Sequence, residues 1–254
     1  MNTNVWGNAT INDLIQDSKK ALNVLRVQPE VDPNRISIIG HSEHTIIAQR
    51  VAIDNSTKVK NIILMGTVAQ NLRDIIFYQI VSLPTEYDTQ VLDKNHTGLL
   101  SIEQIAKDPI FLIFLHLPYS LLRTNNTKAI TNAIAREFGP NNSISIDKQL
   151  NPLLKKSYEN VTALNLSKCN NLEGCPVLLK SHFSLIPTWS VIGNVSKSNG
   201  ILLLNGENDS QTPVQQAFLL QRRLTEVNHP DHTLITYPNL GTTACPSVCI
   251  PPAS

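Results

Sequence analysis

A chain of 254 residues with a formal net charge of +1 is long enough to bury one sizeable core. Its composition, 41% hydrophobic and 16% charged, is ordinary for a globular protein, and no basic run favours nucleic acid as a partner. No apolar run approaches the roughly 18 residues of a membrane span, so none is predicted.

The first part of the chain predicts a helix, a strand, a second helix and a second strand. Apolar residues recur at helical spacing over Ile11–Arg26, and Pro29 stops the pattern. A β-branched run predicts a strand over Arg35–Ile39, followed by a helix to about Ala52. Another apolar run predicts a buried strand over Val59–Gly66. Strand, helix and strand at this spacing predict a parallel βαβ unit with a right-handed crossover.

Residues 70–198 differ in character from the segments on either side. They contain helical patterns and many asparagines but no clear series of strands, which predicts a mainly helical insertion. The sheet is expected to resume with the strand Gly200–Gly206, then a helix over about Pro213–Thr225 and a last strand over Thr233–Tyr237. The chain as a whole is therefore predicted to be an α/β protein with a parallel sheet.

A Gly-His-Ser-Glu-His run occupies residues 40–44, between the first predicted strand and the following helix. This layout is typical of a nucleophile elbow, a strained turn that lifts a serine hydroxyl above the sheet. Ser42 is the candidate nucleophile, and the backbone N–H of Glu43 is the candidate oxyanion donor. The alternative is an ordinary loop serine. His44 stands where the elbow pattern has a second glycine, and its imidazole is expected to be accommodated at some cost.

Asp209 is the candidate acid, because it follows a predicted buried strand and precedes a helix. A carboxylate at this place could orient a catalytic imidazole and stabilise its charged form. The alternative is an aspartate at the start of a helix, beside Ser210 and Thr212, which also suit capping. Glu207 is a nearby competitor for the acid role.

A histidine base is not found where the chain order serine, acid, histidine requires it. His229 and His232 precede the last strand, so they are expected at the opposite end of the sheet and in solvated loops. His41 and His44 flank the nucleophile and are not expected to reach its hydroxyl. His182 lies in the insertion and is expected to be a packing or loop residue. The alternative is a residue that contacts substrate.

Four segments together resemble α/β-hydrolases of the esterase and peptidase type with a helical cap. They are Asp32–Glu43, Asn61–Met65, Leu202–Pro213 and Tyr237–Gly241. In such enzymes the catalytic histidine follows the Leu-Gly pair, and here Thr242 holds that place. The resemblance also implies strands before the elbow and a closing helix that this chain lacks, so the chain resembles a member truncated at both ends.

The resemblance implies a partial parallel sheet with flanking helices, formed by residues 1–69 and 199–254, and a mainly helical cap over 70–198. It also implies a serine hydrolase that acts on a small-molecule or peptide acyl substrate through an acyl-enzyme, without metal or organic cofactor. The alternative is a catalytically inactive, hydrolase-like binding module. A cytoplasmic location is expected, as is self-association through an unpaired edge of the first strand.

Overall fold

The computed structural model describes residues 8–107, 127–139, 143–163 and 176–241. Within these ranges the strands, numbered in chain order, are β1 (Ser37–His41), β2 (Asn61–Met65), β3 (Leu99–Leu100), β4 (Ile144–Ser145), β5 (Gly200–Gly206) and β6 (His232–Tyr237). The α-helices are α1 (Ile11–Arg26), α2 (Glu43–Ile53), α3 (Leu72–Phe77), α4 (Leu83–Tyr87), α5 (Ile102–Ile105), α6 (Thr127–Phe138), α7 (Asn151–Thr162), α8 (Pro176–Phe183), α9 (Thr188–Val191) and α10 (Gln215–Glu226).

Short segments of other helix types complete the described secondary structure. Two are 3₁₀ turns, at Asn55–Thr57 and Ile192–Asn194. Three have π-type hydrogen bonding, at Tyr78–Ser82, Asp88–Leu92 and Ile146–Leu150. No helix among the described residues is long and apolar enough to cross a membrane.

Four strands form one parallel sheet in the order β1-β2-β5-β6. The register places Ile62 and Leu64 of β2, both fully buried, between apolar residues of β1 and β5. Helix α2 packs on β1 and β2, and α10 packs on β5 and β6, so helices flank the sheet. The predicted α/β fold class with a parallel sheet is confirmed.

Helix α1 follows directly from its sequence. The Thr10 side chain accepts a hydrogen bond from the Asp13 backbone, and the Asp13 carboxylate accepts one from the Thr10 backbone N–H, which forms a capping box. Ile11, Ile15 and Leu22 provide the buried face, and they join the same hydrophobic core as the sheet. The helix has the bounds that its apolar periodicity predicts.

The described chain separates into two compact units. The first comprises residues 8–75 and 176–241, and the second comprises 76–163. The first unit contains the parallel sheet and also α8 and α9, so the second unit is narrower than the insertion predicted over 70–198. The role of that insertion as a cap stays a prediction.

The second unit has a hydrophobic core of its own, which includes the fully buried Ile134, Leu150 and Leu154. It is mainly helical, as predicted, and it adds a short antiparallel pair of strands, β3 and β4, that the sequence did not reveal. Each of these strands has only two residues, too few for an alternating pattern to be recognised.

One outer edge of the parallel sheet is formed by β1. Among the described residues, no strand pairs with β1 on the side away from β2. Ile39 in this strand is 65% exposed. Self-association through this edge stays a prediction.

Candidate active site

Ser42 occupies a strained turn between β1 and α2. Its backbone has φ 54° and ψ −122°, a conformation that residues other than glycine rarely adopt. The Ser42 N–H donates to the Met65 carbonyl at 2.9 Å, and the Ser42 carbonyl accepts from both the N–H and the hydroxyl of Thr45. These bonds hold the turn in place at the carboxyl edge of the sheet. Such stored strain is typical of functional sites.

The close approach of strand and helix in this turn depends on Gly40. A Cβ atom at Gly40 would lie 2.5 Å from the carbonyl oxygen of His44 and 3.0 Å from the Cβ of Ala48. The side chain of His44 is exposed. The crowding therefore falls on the glycine before the serine, and the imidazole at position 44 extends into solvent rather than into the contact between strand and helix.

Asp209 lies in the loop after β5 and is 5% exposed. Its Oδ1 accepts from the backbone N–H groups of Gln211 and Thr212, both at 2.9 Å, and its Oδ2 accepts from the Thr212 hydroxyl at 3.0 Å. The sheet is parallel, so the loops after β1 and β5 meet at the same edge. Ser42 and Asp209 therefore lie at one edge of the sheet, as their sequence contexts predict.

Strand β2 lies between β1 and β5 in the sheet. Ser42 follows β1 and Asp209 follows β5, so the two residues do not follow neighbouring strands. Two strand spacings correspond to about 10 Å between the backbones. The Ser42 hydroxyl makes no hydrogen bond to the Asp209 carboxylate. A third group must stand between them if they are to act together.

Gly66, the residue after β2, leaves space at this position. It has φ 57°, and a Cβ atom there would lie 3.0 Å from Thr212 Oγ1, 3.4 Å from Asp209 Oδ2 and 3.9 Å from His41 Cδ2. The imidazole of His41 and the carboxylate of Asp209 therefore approach the same point from two sides. Any side chain larger than a hydrogen at Gly66 would fill that point.

The chain after β6 returns to the Asp209 loop. The Asn208 N–H donates to the Leu240 carbonyl at 3.0 Å, and a Cβ atom at Gly206 would clash with the same carbonyl oxygen. A Cβ atom at Gly241 would lie 3.3 Å from the Asn208 carbonyl oxygen. The residues just before the expected histidine position therefore contact the acid loop. Thr242 itself lies outside the described residues, as do all four cysteines.

No histidine in the described part of the chain hydrogen-bonds to the Ser42 hydroxyl. His229 and His232 lie at the opposite edge of the sheet, as predicted, but His232 is the first residue of β6 and not part of a loop before it. The expectation that His229 is solvated is wrong, since it is 3% exposed and its Nε2 lies 3.2 Å from the Ser196 carbonyl oxygen. His96 is exposed in the second unit, and His116 lies outside the described residues.

Glu43, the first residue of α2, pairs with a histidine that the sequence did not connect to the elbow. Its Oε1 lies 2.5 Å from Nε2 of His182 in α8. The hydrogen bond to His182 is the largest cause that lowers the pKa of the Glu43 carboxyl below its usual value, and burial opposes it. The two residues are 139 positions apart, so no local pattern could have revealed this pair.

Two cavities in the first unit are lined neither by Ser42 nor by Asp209. One, of about 10 Å³, is bordered by Arg50 and His182. Another, of about 400 Å³, lies at the amino edge of the sheet and is lined mainly by polar residues, among them Lys58 and Lys60. Among the described residues, no group of three histidine, cysteine, aspartate or glutamate side chains could hold a metal ion.

Comparison with known proteins returns structural matches but no sequence matches. No family model and no curated protein matches the chain. An α/β-hydrolase from a Medee basin deep-sea metagenome library matches 92% of this chain and 66% of its own, with 17% identity and a TM-score of 0.46. A carboxylesterase structure from Nitrososphaera gargenis matches 92% and 65%, with 15% identity and a TM-score of 0.44. A thermophilic esterase from Thermogutta terrifontis gives the same four values.

These structures are an α/β-hydrolase and two esterases. The chain spans about two thirds of the length of the proteins that it matches.

Proposed function

We propose that the chain is a serine hydrolase that cleaves an ester or amide bond through an acyl-enzyme at Ser42. The backbone of Ser42 is the observation that carries this proposal. A serine at φ 54° and ψ −122°, between a parallel strand and a helix, is held in a conformation that its local sequence does not favour. Its hydroxyl makes no hydrogen bond to the described residues, so it is free to react.

The chemistry assigns one role to each group at this edge. The Ser42 oxygen attacks the acyl carbonyl as its proton passes to a base, and the carbonyl oxygen becomes an oxyanion. Solvent water takes the place of this base here, because no described side chain hydrogen-bonds to the Ser42 hydroxyl. The backbone N–H of Glu43, at the start of α2 where amides have no partner within the helix, donates to that oxyanion. Collapse expels the alcohol or amine with a proton, and water then releases the acid and restores the serine. Asp209 would stabilise the base in its protonated form.

The second candidate is a hydrolase-like module without catalytic activity. It is favoured by Thr242 at the position where the resemblance places the catalytic histidine and by the lack of a described histidine that hydrogen-bonds to Ser42. Loss of a triad member costs about 10⁴- to 10⁶-fold in kcat in well-studied serine proteases. A chain with only the serine and the acid would keep a small residual activity from oxyanion stabilisation.

Labelling with a fluorophosphonate probe tests the proposal. The serine oxygen displaces fluoride from phosphorus, so a stable adduct forms without the later hydrolytic step. We expect labelling that is abolished in Ser42→Ala and unchanged in Ser37→Ala, a control at the other end of the same strand. Peptide mass spectrometry should locate the adduct on Ser42. An unmodified chain that takes up no label at all would contradict the hydrolase and support the inactive module.

A further inference from the structure

Glu43 and His182 form the contact that joins the elbow to helix α8. The imidazole of His182 is almost fully buried, with a side chain only 1% exposed, whereas 40% of the Glu43 side chain is exposed. A second hydrogen bond joins the same two segments. Arg50 of α2 donates to the carbonyl of Ile186, just beyond α8, at 2.7 Å. Helix α2 is thus attached to the segment around α8 near its first turn and again two turns later.

His182 is not a fully satisfied core histidine. Its Nδ1 is buried and has no hydrogen-bond partner among the described residues. A buried polar atom without a partner costs stability. The bond that the ring makes is directed at the residue that follows the nucleophile. His229 has a buried Nδ1 of the same kind at the opposite edge of the sheet, so the contact with the elbow is the observation that favours a functional role for His182.

We propose that His182 is a positioning residue for the oxyanion donor. This inference rests on the function proposed above. The His182 ring holds the Glu43 carboxylate, and the carboxylate fixes the first turn of α2, where the Glu43 backbone N–H begins the helix. The orientation of that N–H is important only when charge develops on the acyl oxygen. His182 therefore affects the chemical step and not the binding of the acyl compound.

The groups around Glu43 and His182 favour the ionised form of the Glu43 carboxyl. The Glu43 carboxylate faces the His182 ring and also the nearby His44, both of which lower its pKa. Arg50 borders the same small cavity as His182. The carboxylate thus persists at lower pH than an isolated glutamate would, and it remains an acceptor for the ring across the neutral range.

The chain offers a matched control in His229. This residue is also buried, also makes one bond through Nε2 and also has a buried Nδ1 without a partner in the described residues, but it lies at the opposite edge of the sheet. A substitution that only weakens packing should therefore act alike at both sites. A positioning role predicts that substitution of His182 lowers the inactivation rate and that substitution of His229 does not.

The test measures the maximal inactivation rate and the apparent affinity for the fluorophosphonate in variants of the full chain. His182→Leu should lower the maximal rate about tenfold, less than the 10²- to 10³-fold for complete loss of an oxyanion donor, and leave the apparent affinity unchanged. His182→Gln, whose amide can still donate to Glu43, should recover most of the rate. His229→Leu should leave the rate unchanged even if both leucine variants melt at a lower temperature.

The outcomes separate this inference from the proposed function. Ser42-dependent labelling that is equally fast in the unmodified chain and in His182→Leu would contradict the positioning role alone. An equal loss of rate in His182→Leu and His229→Leu, with no recovery in His182→Gln, would also contradict it. A complete lack of labelling in the unmodified chain would contradict the hydrolase proposal and, with it, the role of His182.

Discussion

The two edges of the parallel sheet carry similar kinds of residue in different states. At the carboxyl edge, Ser42 has a strained backbone and a hydroxyl without a described partner. At the amino edge, Ser37 begins the same strand with ordinary backbone angles, and its hydroxyl accepts from the Asn61 amide at 3.1 Å. A serine is present at both edges, so residue type alone does not identify the candidate site. The strained backbone of Ser42 and its hydroxyl without a described hydrogen-bond partner distinguish the carboxyl edge.

The glycines of the two edges provide the sharpest test of this difference. We expect Gly40→Ala to lower the free energy of unfolding by about 3 kcal/mol, because the new Cβ would lie 2.5 Å from a backbone oxygen that cannot move away. Gly200→Ala should cost less, since its Cβ would meet the side-chain oxygens of Asn61 and Asp231, which can rotate. Urea unfolding of the two variants measures the difference. Equal losses would mean that the carboxyl edge is no more constrained than the amino edge.

Asparagines at the two edges should differ by a smaller amount. Asn205 is buried, its Oδ1 accepts from the Thr67 N–H at 3.0 Å, and its Nδ2 donates to the Thr212 carbonyl at 3.1 Å. Asn205→Ala should cost about 2 kcal/mol, because the buried Thr67 N–H would lose its partner. Asn61→Ala removes a bond at an exposed position and should cost less than about 1 kcal/mol. Thermal and urea unfolding would test the order, and the reverse order would contradict it.

The smallest expected effect is on the acid dependence of protein stability. It concerns Asp54, which directly follows the last residue of α2, at the end of the helix remote from Ser42. The Asp54 carboxylate accepts from Lys19 and Ser56, and these bonds lower its pKa to about 2. The folded pKa is below the unfolded value near 3.8, so the contribution to stability is complete above about pH 4 and is lost as pH falls toward 2. Asp54→Asn should therefore show a shallower loss of stability over this window.

The control for that measurement is Asp17→Asn, because the pair between Asp17 and Lys20 is exposed on both sides. Its unfolding free energy should follow the unmodified chain between pH 4 and pH 2. The same acid dependence in Asp54→Asn and in the unmodified chain would show that the bonds to Asp54 do not contribute.

Local patterns predicted much of the sheet and its helices, because each element carries its own signal. The apolar face of α1 and the apolar run of β5 have the predicted bounds. The first strand begins two residues later than predicted and ends at His41, because the residues after Pro33 still form a turn in which Arg35 N–H donates to the Asp32 carbonyl. A turn and a strand can both form at such a boundary, and β-branched residues alone do not determine at which residue the strand begins.

The candidate site was only partly predictable for a physical reason. Ser42 and Asp209 stand in contiguous strand–turn–helix contexts, which the sequence displays. The bond between Glu43 and His182, the burial of His229 and the return of Leu240 to Gly206 depend on tertiary packing across long separations. The cost expected for the His44 imidazole was also wrong, because that side chain is exposed and the crowding falls on Gly40. A motif shows which residues are small but not which backbone atoms they approach.

The strand order also has a consequence for how the chain folds. Strands β1 and β2 are joined by one α-helix and a short 3₁₀ turn, whereas β2 pairs with β5 across about 130 intervening residues. The first pairing is local and can form early, while the second must close a long loop, which slows folding more than it lowers final stability. The second unit, with a core of its own, lies entirely within that loop. Its collapse would shorten the loop, so we expect the parallel sheet to be completed in a late kinetic phase whose rate depends on how fast residues 76–163 fold.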